Sequence, residues 1–317
     1  MANPKTPSAP AKSPYPTPGP LGGRLIRDVV GFIRSQNVQL PITSHILIAV
    51  SGGSDSVALA HLLVHYGRRI VPCAQISLLH INHRWRAQES DSDERFVKNL
   101  GKTWGIPVIT KRLKPPSLDS KDSWEELARN ARKRIYRQLG GPVFTAHHAD
   151  DLAETLLWRI FTGAAQTHGG GVAFHHGIEM RPVLKIRKAQ LKAYLNEVKQ
   201  PYQEDASNLS ERFLRARMRM QLMPIAEKLF PKMVEHLVKL GLEAQKSAVA
   251  ETETDRPVET LIQAAGLKLR RAHWNTIFEK TKMKKPWYGE IHLPQGWVLK
   301  CQKSSVPSER WVLERFP

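Results

Sequence analysis

The pattern of apolar and polar positions changes period repeatedly along the chain. Near the start, five apolar residues recur at helical spacing: Leu25, Ile26, Val29, Val30 and Ile33. A run of strand length follows at 46–50, and further strands are predicted at 75–81, 107–111 and 143–146. Helices are predicted between them, at 57–64, 89–104, 124–139 and 151–161. Strands that alternate with helices of this length indicate βαβ units, so we expect an α/β fold with a Rossmann-like parallel sheet.

The two ends of the chain differ from this alternating region, which spans 24–225. Residues 1–23 contain seven prolines, which oppose helix and sheet formation, and we predict a disordered tail. Past residue 225 the strand signal fades, and 226–317 is predicted to be a helical, basic extension. Between 265 and 303, nine Lys or Arg accompany two Glu, and aromatic residues are interleaved with them: Trp274, Phe278, Trp287, Tyr288 and Trp297. This mixture suits either RNA binding with base stacking or a small domain whose tryptophans fill its own core.

The charge balance narrows the class of partner. The chain carries 48 Lys and Arg against 29 Asp and Glu, a net charge of +19, and its pI is about 10.1. An excess of this size favours a polyanion such as nucleic acid, because each neutralised phosphate releases condensed counterions. No apolar run approaches the roughly 20 residues that cross a bilayer, so we expect a soluble protein without a membrane partner. Cys73 and Cys301 are far apart, which favours a reducing intracellular compartment, either the cytoplasm or an organelle matrix.

A short polar stretch follows the first predicted strand. The sequence SGGSDS comprises Ser51, Gly52, Gly53, Ser54, Asp55 and Ser56, and an apolar-periodic helix begins at once. Glycines allow a tight turn there, and the turn lets backbone N–H groups converge on one point at a helix N-terminus. We therefore predict an anion-binding loop. Asp55 among so many donors is better suited to hold Mg²⁺ than to contact phosphate, and the segment lacks the lysine of a Walker A loop.

A second polar cluster follows the last predicted strand. His147 and His148 come first, and Asp150, Asp151 and Glu154 then open a helix. Because Asp151 and Glu154 are three residues apart, they share a helix face and present two carboxylates to one point. This arrangement fits a ligand that bears an ammonium group, such as free L-lysine. A zinc site is disfavoured, because the two histidines lack the i, i+4 spacing of a helical zinc site.

Other candidate residues have two interpretations each. His83 closes a predicted strand, where an imidazole either faces a nucleotide pocket or has a structural role. Arg129 and Arg132 lie three residues apart on one predicted helix, which either forms a solvated basic face or contacts phosphate. Three more arginines share one face of a later helix: Arg212, Arg215 and Arg219. Their guanidinium groups suit bidentate contacts to ATP phosphates or to an RNA backbone.

Five segments together resemble a known family. SGGSDS is similar to the PP-loop signature of the N-type ATP pyrophosphatases, which cleave ATP between the α- and β-phosphates and have an adenine nucleotide alpha hydrolase-like fold. The other four resemble the tRNA(Ile)-lysidine synthetases and occur in that family's order: LHINHRWR at 79–86, WEELARNARKRIYRQL at 124–139, TAHHADDLAETLLWRI at 145–160 and EDASNLSERFLRARMRMQLMP at 204–224. The resemblance covers roughly 45–225. It departs at Ala216, where the family usually has Asn.

The resemblance implies a ligase that forms a carbon–nitrogen bond with ATP and Mg²⁺. In this family, O2 of the wobble cytidine in the CAU anticodon of tRNA(Ile) is adenylated, and lysine then displaces AMP to form lysidine. The region 24–225 would be the catalytic domain and 226–317 would help to bind tRNA. The sequence leaves open a PP-loop tRNA thiolase, for which the two cysteines offer no evident sulfur site, and a tRNA-binding protein without catalysis. It also leaves open whether the chain forms a homodimer.

The resemblance also assigns roles to the candidate residues. The loop at 51–56 binds ATP, with Asp55 beside Mg²⁺, and the acids Asp151 and Glu154 bind lysine. Four residues are expected to contact the nucleotide or its phosphates: His83, Arg129, Arg132 and His147. The three arginines of the later helix are expected to contact tRNA or phosphate.

Overall fold

The computed structural model describes residues 17–36, 45–71, 75–84, 87–113, 124–163, 171–204, 214–267, 269–281, 287–303 and 311–315. They divide into two compact units. The first lies within Met1–Thr155 and Val172–Val238, and the second within Leu156–Gly171 and Lys239–Pro317. The predicted domain boundary at residue 225 lies inside the first unit. Within the described stretches, no helix is both long and apolar enough to cross a membrane.

The first unit is built on a six-stranded sheet in the order β3-β2-β1-β4-β6-β5. The strands are β1 (His45–Ala49), β2 (Gln75–Asn82), β3 (Val108–Arg112), β4 (Val143–Phe144), β5 (His175–His176) and β6 (Glu179–Met180). Neighbouring strands are parallel except β5 and β6, which are antiparallel. The α/β fold with its mostly parallel sheet is therefore confirmed. The strands β5 and β6 have no counterpart in the prediction, because two residues are too few to show a period.

Helices lie before, between and after these strands. They are α1 (Pro20–Ser35), α2 (Ser54–Ile70), α3 (Ala87–Trp104), α4 (Trp124–Leu139), α5 (Ala149–Phe161), α6 (Lys188–Glu197), α7 (Leu214–Arg217) and α8 (Met223–Leu229). A π-helical turn, Met218–Leu222, joins α7 to α8. The predicted helix at 124–139 has the observed bounds of α4.

The centre of the sheet is apolar on both faces. In β1, Ile46, Leu47 and Ile48 are all buried, as expected for a parallel strand that is covered by helices on both sides. Leu47 belongs to a core cluster that also contains Tyr136 of α4 and Val143 of β4. Burial raises the pKa of Tyr136 to about 12, so this phenol stays neutral. The packing fixes β1 and β4 side by side, and both strands end at the same edge.

The predicted tail at 1–23 is wrong at its end, because α1 begins at Pro20 rather than at residue 24. Proline is well tolerated in the first helical turn, where its missing N–H would have no partner within the helix. The side chain of Glu197 accepts hydrogen bonds from the backbone N–H groups of Leu21 and Gly22, at 3.0 and 2.9 Å. These contacts replace an N-cap side chain. The rest of the predicted tail, 1–16, lies outside the described residues.

The second unit contains most of α9 (Met233–Ala264), α10 (Arg271–Thr281) and a three-stranded antiparallel sheet. The strands are β7 (Gly289–Leu293), β8 (Trp297–Cys301) and β9 (Trp311–Arg315), in that order. Leu299 and Trp311 of this sheet are buried against Ile262 and Ile277, and three further tryptophans pack against the cluster: Trp274, Trp287 and Trp297. The tryptophans therefore fill a local core. Among the described residues, the last α-helix of the extension ends at Thr281, and the three strands follow it.

Candidate functional site

The polar loop that follows β1 is held by its own serines and by a neighbouring segment. Ser56 Oγ accepts a hydrogen bond from the backbone N–H of Ser51 at 3.1 Å and donates one to the carbonyl of Gly53 at 3.0 Å. Gly52 has a φ of +110°, which L side chains rarely adopt. Its carbonyl accepts a hydrogen bond from Gln203 N–H at 2.9 Å. Gly53 has a φ of −70°, so only Gly52 needs to be glycine for its backbone conformation.

This loop opens into the N-terminus of α2. Gly53 occupies the N-cap position, and no side chain caps the helix there. The first N–H groups of a helix have no partner within it, and the helix dipole places partial positive charge at that end. Because β1 pairs with β2 on one side and β4 on the other, the loop also lies where the strand order reverses. Ligands of open α/β sheets bind at such switch points, so the geometry suits a phosphate group.

His148 stands at the centre of a cluster of carboxylates beside the loop. Its Nε2 lies 3.5 Å from Oδ2 of Asp55, and its Nδ1 lies 3.5 Å from carboxylate oxygens of Asp150 and Asp151. Burial opposes protonation of the ring, but these carboxylates outweigh burial and raise the pKa of His148. For Asp55, burial favours the neutral acid, but His148 and Lys188 outweigh it and lower the pKa. Each of the two groups therefore favours the charged form of the other.

Asp150 connects this cluster to α6. Its Oδ2 accepts a hydrogen bond from the backbone N–H of Lys188 at 2.8 Å, at the first residue of that helix. Its Oδ1 accepts one from Nε of Arg187 at 3.0 Å, and Arg187 also pairs with Glu227 at 2.7 Å. The same turn brings the ammonium of Lys188 to 3.5 Å from Asp55. Asp150 thus has a structural role and places a lysine beside the loop.

Glu154 pairs with two arginines. Its carboxylate oxygens accept hydrogen bonds from Nε of Arg215 at 2.5 Å and from Nε of Arg219 at 2.6 Å. Arg215 and Arg219 therefore share a face, as predicted, although the π turn begins between them. Asp151 accepts a hydrogen bond from the backbone N–H of His148 at 3.0 Å, and burial is the main reason that its pKa is raised. Arg212 lies outside the described residues.

A second group of residues, made of arginines and histidines, surrounds His147, which follows β4. Burial lowers the pKa of His147 to about 3, and the nearby charges of Arg181 and Arg132 contribute. Burial and Arg132 lower the pKa of His83 to about 4. Arg129 adds its charge to the same region, since it acts on both His147 and Arg181. The structure thus brings together four of the predicted contact residues, and their excess of positive charge suits an anionic ligand.

The sequence comparison decides the family. The profile of the PP-loop domain matches residues 32–226, which is more than half of the chain. The chain belongs to the PP-loop domain family. The matched region contains β1 to β6, the loop and every residue of the clusters described above except Glu227.

Relatives with curated names share this PP-loop region. The chain is 33% identical over 208 residues to a tRNA(Ile)-lysidine synthase of Geobacter sulfurreducens, covering 61% of this chain and 42% of the relative. It is 36% identical over 215 residues to a tRNA(Ile)-lysidine synthase of Chlamydia pneumoniae, covering 65% of each protein. The chain spans less than two thirds of the length of these relatives.

A solved structure shares the PP-loop fold. The U34-tRNA thiolase of Methanococcus maripaludis, determined with its [4Fe-4S] cluster, superposes with a TM-score of 0.57 at 16% identity, covering 70% of this chain and 79% of that chain. At this identity the similarity concerns the fold alone.

Several residues of the PP-loop site are not predicted from the sequence. Arg181 contacts His147, Arg187 contacts Asp150 and Lys188 contacts Asp55, and all three lie in a segment outside the recognised motifs. The sequence of this segment, MRPVLKIRK at 180–188, carries a signal, because it contains four basic residues within nine positions. Trp85 and Arg86, which belong to one of the motifs, lie outside the described residues.

Asp55 is the residue of the PP-loop to which a magnesium ion would bind. The carboxylate has two basic neighbours, His148 and Lys188, and its side chain keeps 25% of its surface exposed. Mg²⁺ commonly binds through one carboxylate together with substrate phosphates and water. Among the described residues, no group of three or more His, Cys, Asp or Glu is arranged to hold a metal ion by itself. Asp55 therefore fits a cation that arrives with a nucleotide, rather than a cage made by the protein alone.

Proposed function

We propose that the chain is a tRNA(Ile)-lysidine synthase that uses ATP, Mg²⁺ and free L-lysine. The observation that carries the proposal is the position of Asp151, a partly buried acid that accepts a hydrogen bond from the backbone of His148, whose ring contacts Asp55 of the loop. An uncapped helix N-terminus and an acid for an ammonium group lie at one edge of the sheet. The identity to named lysidine synthases over the same region supports this interpretation.

In the first step, the loop at 51–56 would bind the ATP phosphates through the N-terminus of α2. O2 of the wobble cytosine attacks the α-phosphate, the bond to the β-phosphate breaks, and pyrophosphate leaves. Asp55 would hold Mg²⁺, which supplies positive charge to the phosphates when it is bound. Arg129 and Arg132 add positive charge that favours the negative charge developed on the leaving group. The product is a cytidine with AMP on O2.

In the second step, the ε-amine of lysine attacks C2 of the activated base and AMP leaves with the oxygen. The amine must lose a proton to act as a nucleophile. Asp151 would bind the ammonium form, and its raised pKa makes it a better proton acceptor than an ordinary aspartate. Glu154 would act with it, but through Arg215 and Arg219, which already occupy its carboxylate. The two arginines keep more than a third of their surface exposed, and these exposed surfaces would contact AMP or tRNA phosphates.

The second unit would contribute to tRNA binding. Most of its tryptophans pack in a local core, but Tyr288 is 47% exposed and lies under the ammonium of Lys303 at 5.9 Å from the ring centroid. Lys280 lies 5.4 Å from the ring centroid of Trp287 nearby in sequence. An exposed aromatic ring beside a cation suits stacking on an unpaired base with a contact to its phosphate. These residues are therefore candidates for tRNA contacts.

The direct test is incorporation of labelled lysine into a tRNA(Ile) transcript with a CAU anticodon in the presence of Mg-ATP. A transcript with uridine at the wobble position is the substrate control. We expect label on the first transcript only and a large loss with Asp151→Asn. Asp28→Asn, which changes an exposed acid on α1, is the matched control and is expected to keep the activity.

Two other outcomes would replace the proposal. Release of pyrophosphate that depends on tRNA, without lysine incorporation, would indicate another nucleophile, with sulfur the first to examine. Tight binding of tRNA with neither pyrophosphate release nor lysine incorporation would indicate a binding protein without catalysis.

A further inference from the structure

Arg181 is a buried arginine that follows β6 directly. Its side chain is only 6% exposed, and its guanidinium is held at three points. One terminal nitrogen donates to the carbonyl of Ala173 at 2.6 Å, the other donates to Glu179, and Nε donates to Nδ1 of His147 at 3.3 Å. Burying a charged group is costly unless its hydrogen bonds are satisfied. The anchored guanidinium therefore keeps a fixed direction toward His147.

The contact with Arg181 determines the tautomer of His147. Nε of arginine always carries a proton, so the nitrogen that it faces must offer a lone pair. The hydroxyl of Thr145 lies 3.0 Å from the same Nδ1 and is able to donate to it as well. A neutral imidazole whose Nδ1 accepts hydrogen bonds carries its proton on Nε2. The surroundings thus select one of the two neutral forms of His147.

The same surroundings keep the ring of His147 uncharged. Its pKa is lowered to about 3, chiefly by burial, and four positive groups contribute: Arg181, Arg132, His148 and Arg129. The usual pKa of histidine is near 6.5, so the ring remains neutral from mildly acidic to alkaline pH. It is therefore a hydrogen-bond donor whose charge does not vary in the range in which an enzyme works.

We propose that Arg181 is a positioning residue that holds His147 as an Nε2–H donor to an oxygen of the bound nucleotide. The contact with a nucleotide depends on the proposed function, whereas the tautomer of His147 does not. A neutral donor stabilises charge that develops on a phosphoryl oxygen without itself changing protonation. It also does not protonate the lysine amine, because the Nε2–H of a neutral imidazole is a very weak acid. His147 is the catalytic residue in this assignment, and Arg181 acts through it.

The wild-type protein provides the first test. Long-range ¹H–¹⁵N correlation spectra of the full chain with labelled histidine report which ring nitrogen carries the proton. The signals of His147 are identified by their loss in His147→Gln. We expect an unprotonated Nδ1 and a protonated Nε2 at every pH from 5 to about 8. A protonated Nδ1 in the wild type would overturn the proposal without any variant of Arg181.

Two variants then separate the hydrogen bond from the charge. In Arg181→Met we expect both tautomers of His147 to appear and its pKa to rise toward the ordinary value. Arg129→Met is the matched control, because it removes another positive charge near His147 without removing a donor to Nδ1. We expect it to raise the pKa but to leave the proton on Nε2. Identical tautomers in Arg181→Met and wild type would contradict the role of Arg181.

Arg181→Met leaves the carboxylate of Glu179 without its arginine partner, which destabilises the fold. The double variant Arg181→Met, Glu179→Gln removes both charges and therefore buries no unpaired charge. Kinetics provide an independent readout. We expect kcat for pyrophosphate release to fall roughly 10- to 100-fold, with little change in the KM for ATP. A wild type that shows the expected tautomer but no lysine incorporation would reject the proposed function and retain the positioning of His147. A wild type that incorporates lysine but carries the proton of His147 on Nδ1 would retain the proposed function and reject the positioning of His147.

Discussion

The buried carboxylate of Glu154 and the guanidinium of Arg215 are joined by a hydrogen bond of 2.5 Å between side chains 61 residues apart in sequence. The acid that the sequence assigns to lysine binding is therefore already paired in this structure. Arg219 takes the second oxygen, and both arginines keep more than a third of their surface exposed, at 37% and 45%. The buried carboxylate of Glu154 thus fixes the positions of two partly exposed guanidinium groups.

The first prediction concerns this pairing. Glu154→Gln removes a charge that is 2% exposed and leaves two positive groups close together. Because the arginines are half-exposed and water can solvate them, we expect a moderate loss of about 1–3 kcal/mol in the free energy of unfolding. Urea denaturation measures it. Glu235→Gln, at an exposed position in α9, is the control, and equal stability of the two variants would show that the pairing contributes nothing.

The second prediction separates the two glycines of the loop. Gly52→Ala places a side chain at φ +110°, which costs about 1–3 kcal/mol in backbone strain, although the added Cβ meets neighbours only at 3.6 Å or more. Gly53→Ala has an ordinary φ and one neighbour, Ser51 Oγ, at 3.6 Å. We expect Gly52→Ala to lower stability and ATP affinity, and Gly53→Ala to change stability little. Thermal denaturation and calorimetric titration with ATP measure the two effects, and equal behaviour of the variants would refute the distinction.

The third prediction concerns acid stability. His61 of α2 accepts or donates a hydrogen bond of 2.6 Å with the hydroxyl of Tyr194, and burial together with His65 lowers the pKa of His61 to about 4. A histidine with a lowered pKa resists protonation in the folded state, so its contribution to stability is complete above pH 6.5 and is lost as the pH falls toward 4. We expect the free energy of unfolding to decrease over this range, with about 3 kcal/mol from His61.

His61→Gln tests this origin, because glutamine can still bond Tyr194 but does not titrate. We expect a shallower dependence of stability on pH between 6.5 and 4, measured by denaturation at fixed pH values. His236→Gln changes an exposed histidine of α9 and serves as the control. A slope that is unchanged in His61→Gln would assign the acid sensitivity to other groups.

The fourth prediction concerns the second unit. If Tyr288 stacks on an unpaired base, Tyr288→Ala should weaken tRNA binding by about 1–3 kcal/mol. Lys303→Gln should reduce the slope of log affinity against log salt by about one, because one phosphate contact is lost. Filter binding at several salt concentrations measures both. Lys239→Gln, an exposed lysine of α9, is the control for a general change in charge, and the same effect from it would remove the case for a local contact.

The elements of the fold that the sequence predicts are those with a local period. The strands β1, β2 and β3 and the helices α3 and α4 lie within two residues of the predicted bounds, because each carries enough apolar positions to show its repeat. The sheet of the second unit was not accessible in this way. Its strands are as long as β1 and β3, but their burial depends on α9 and α10, so the helical composition around them dominates the pattern.

The same distinction between local and long-range features applies to the candidate site. The loop and the acids of α5 are predictable, because they are contiguous in sequence and follow buried strands. The pairing of Glu154 with Arg215 and the approach of Arg181 to His147 join residues 61 and 34 positions apart. Such contacts depend on how the sheet and the later helices pack, which no local pattern contains. The sequence also cannot show which of Gly52 and Gly53 must be glycine, because only the backbone φ angle distinguishes them.

The π turn at Met218–Leu222 holds one more residue than an α-helical turn would; it contains Arg219 and precedes Glu227, which pairs with Arg187. Because the extra residue is accommodated within the turn, deleting one residue there would give an α-helical turn and leave Glu227 facing Arg187. A one-residue deletion in a regular α-helix instead rotates everything that follows by about 100°. The π turn therefore makes this segment more tolerant of losing one residue than the regular helices around it.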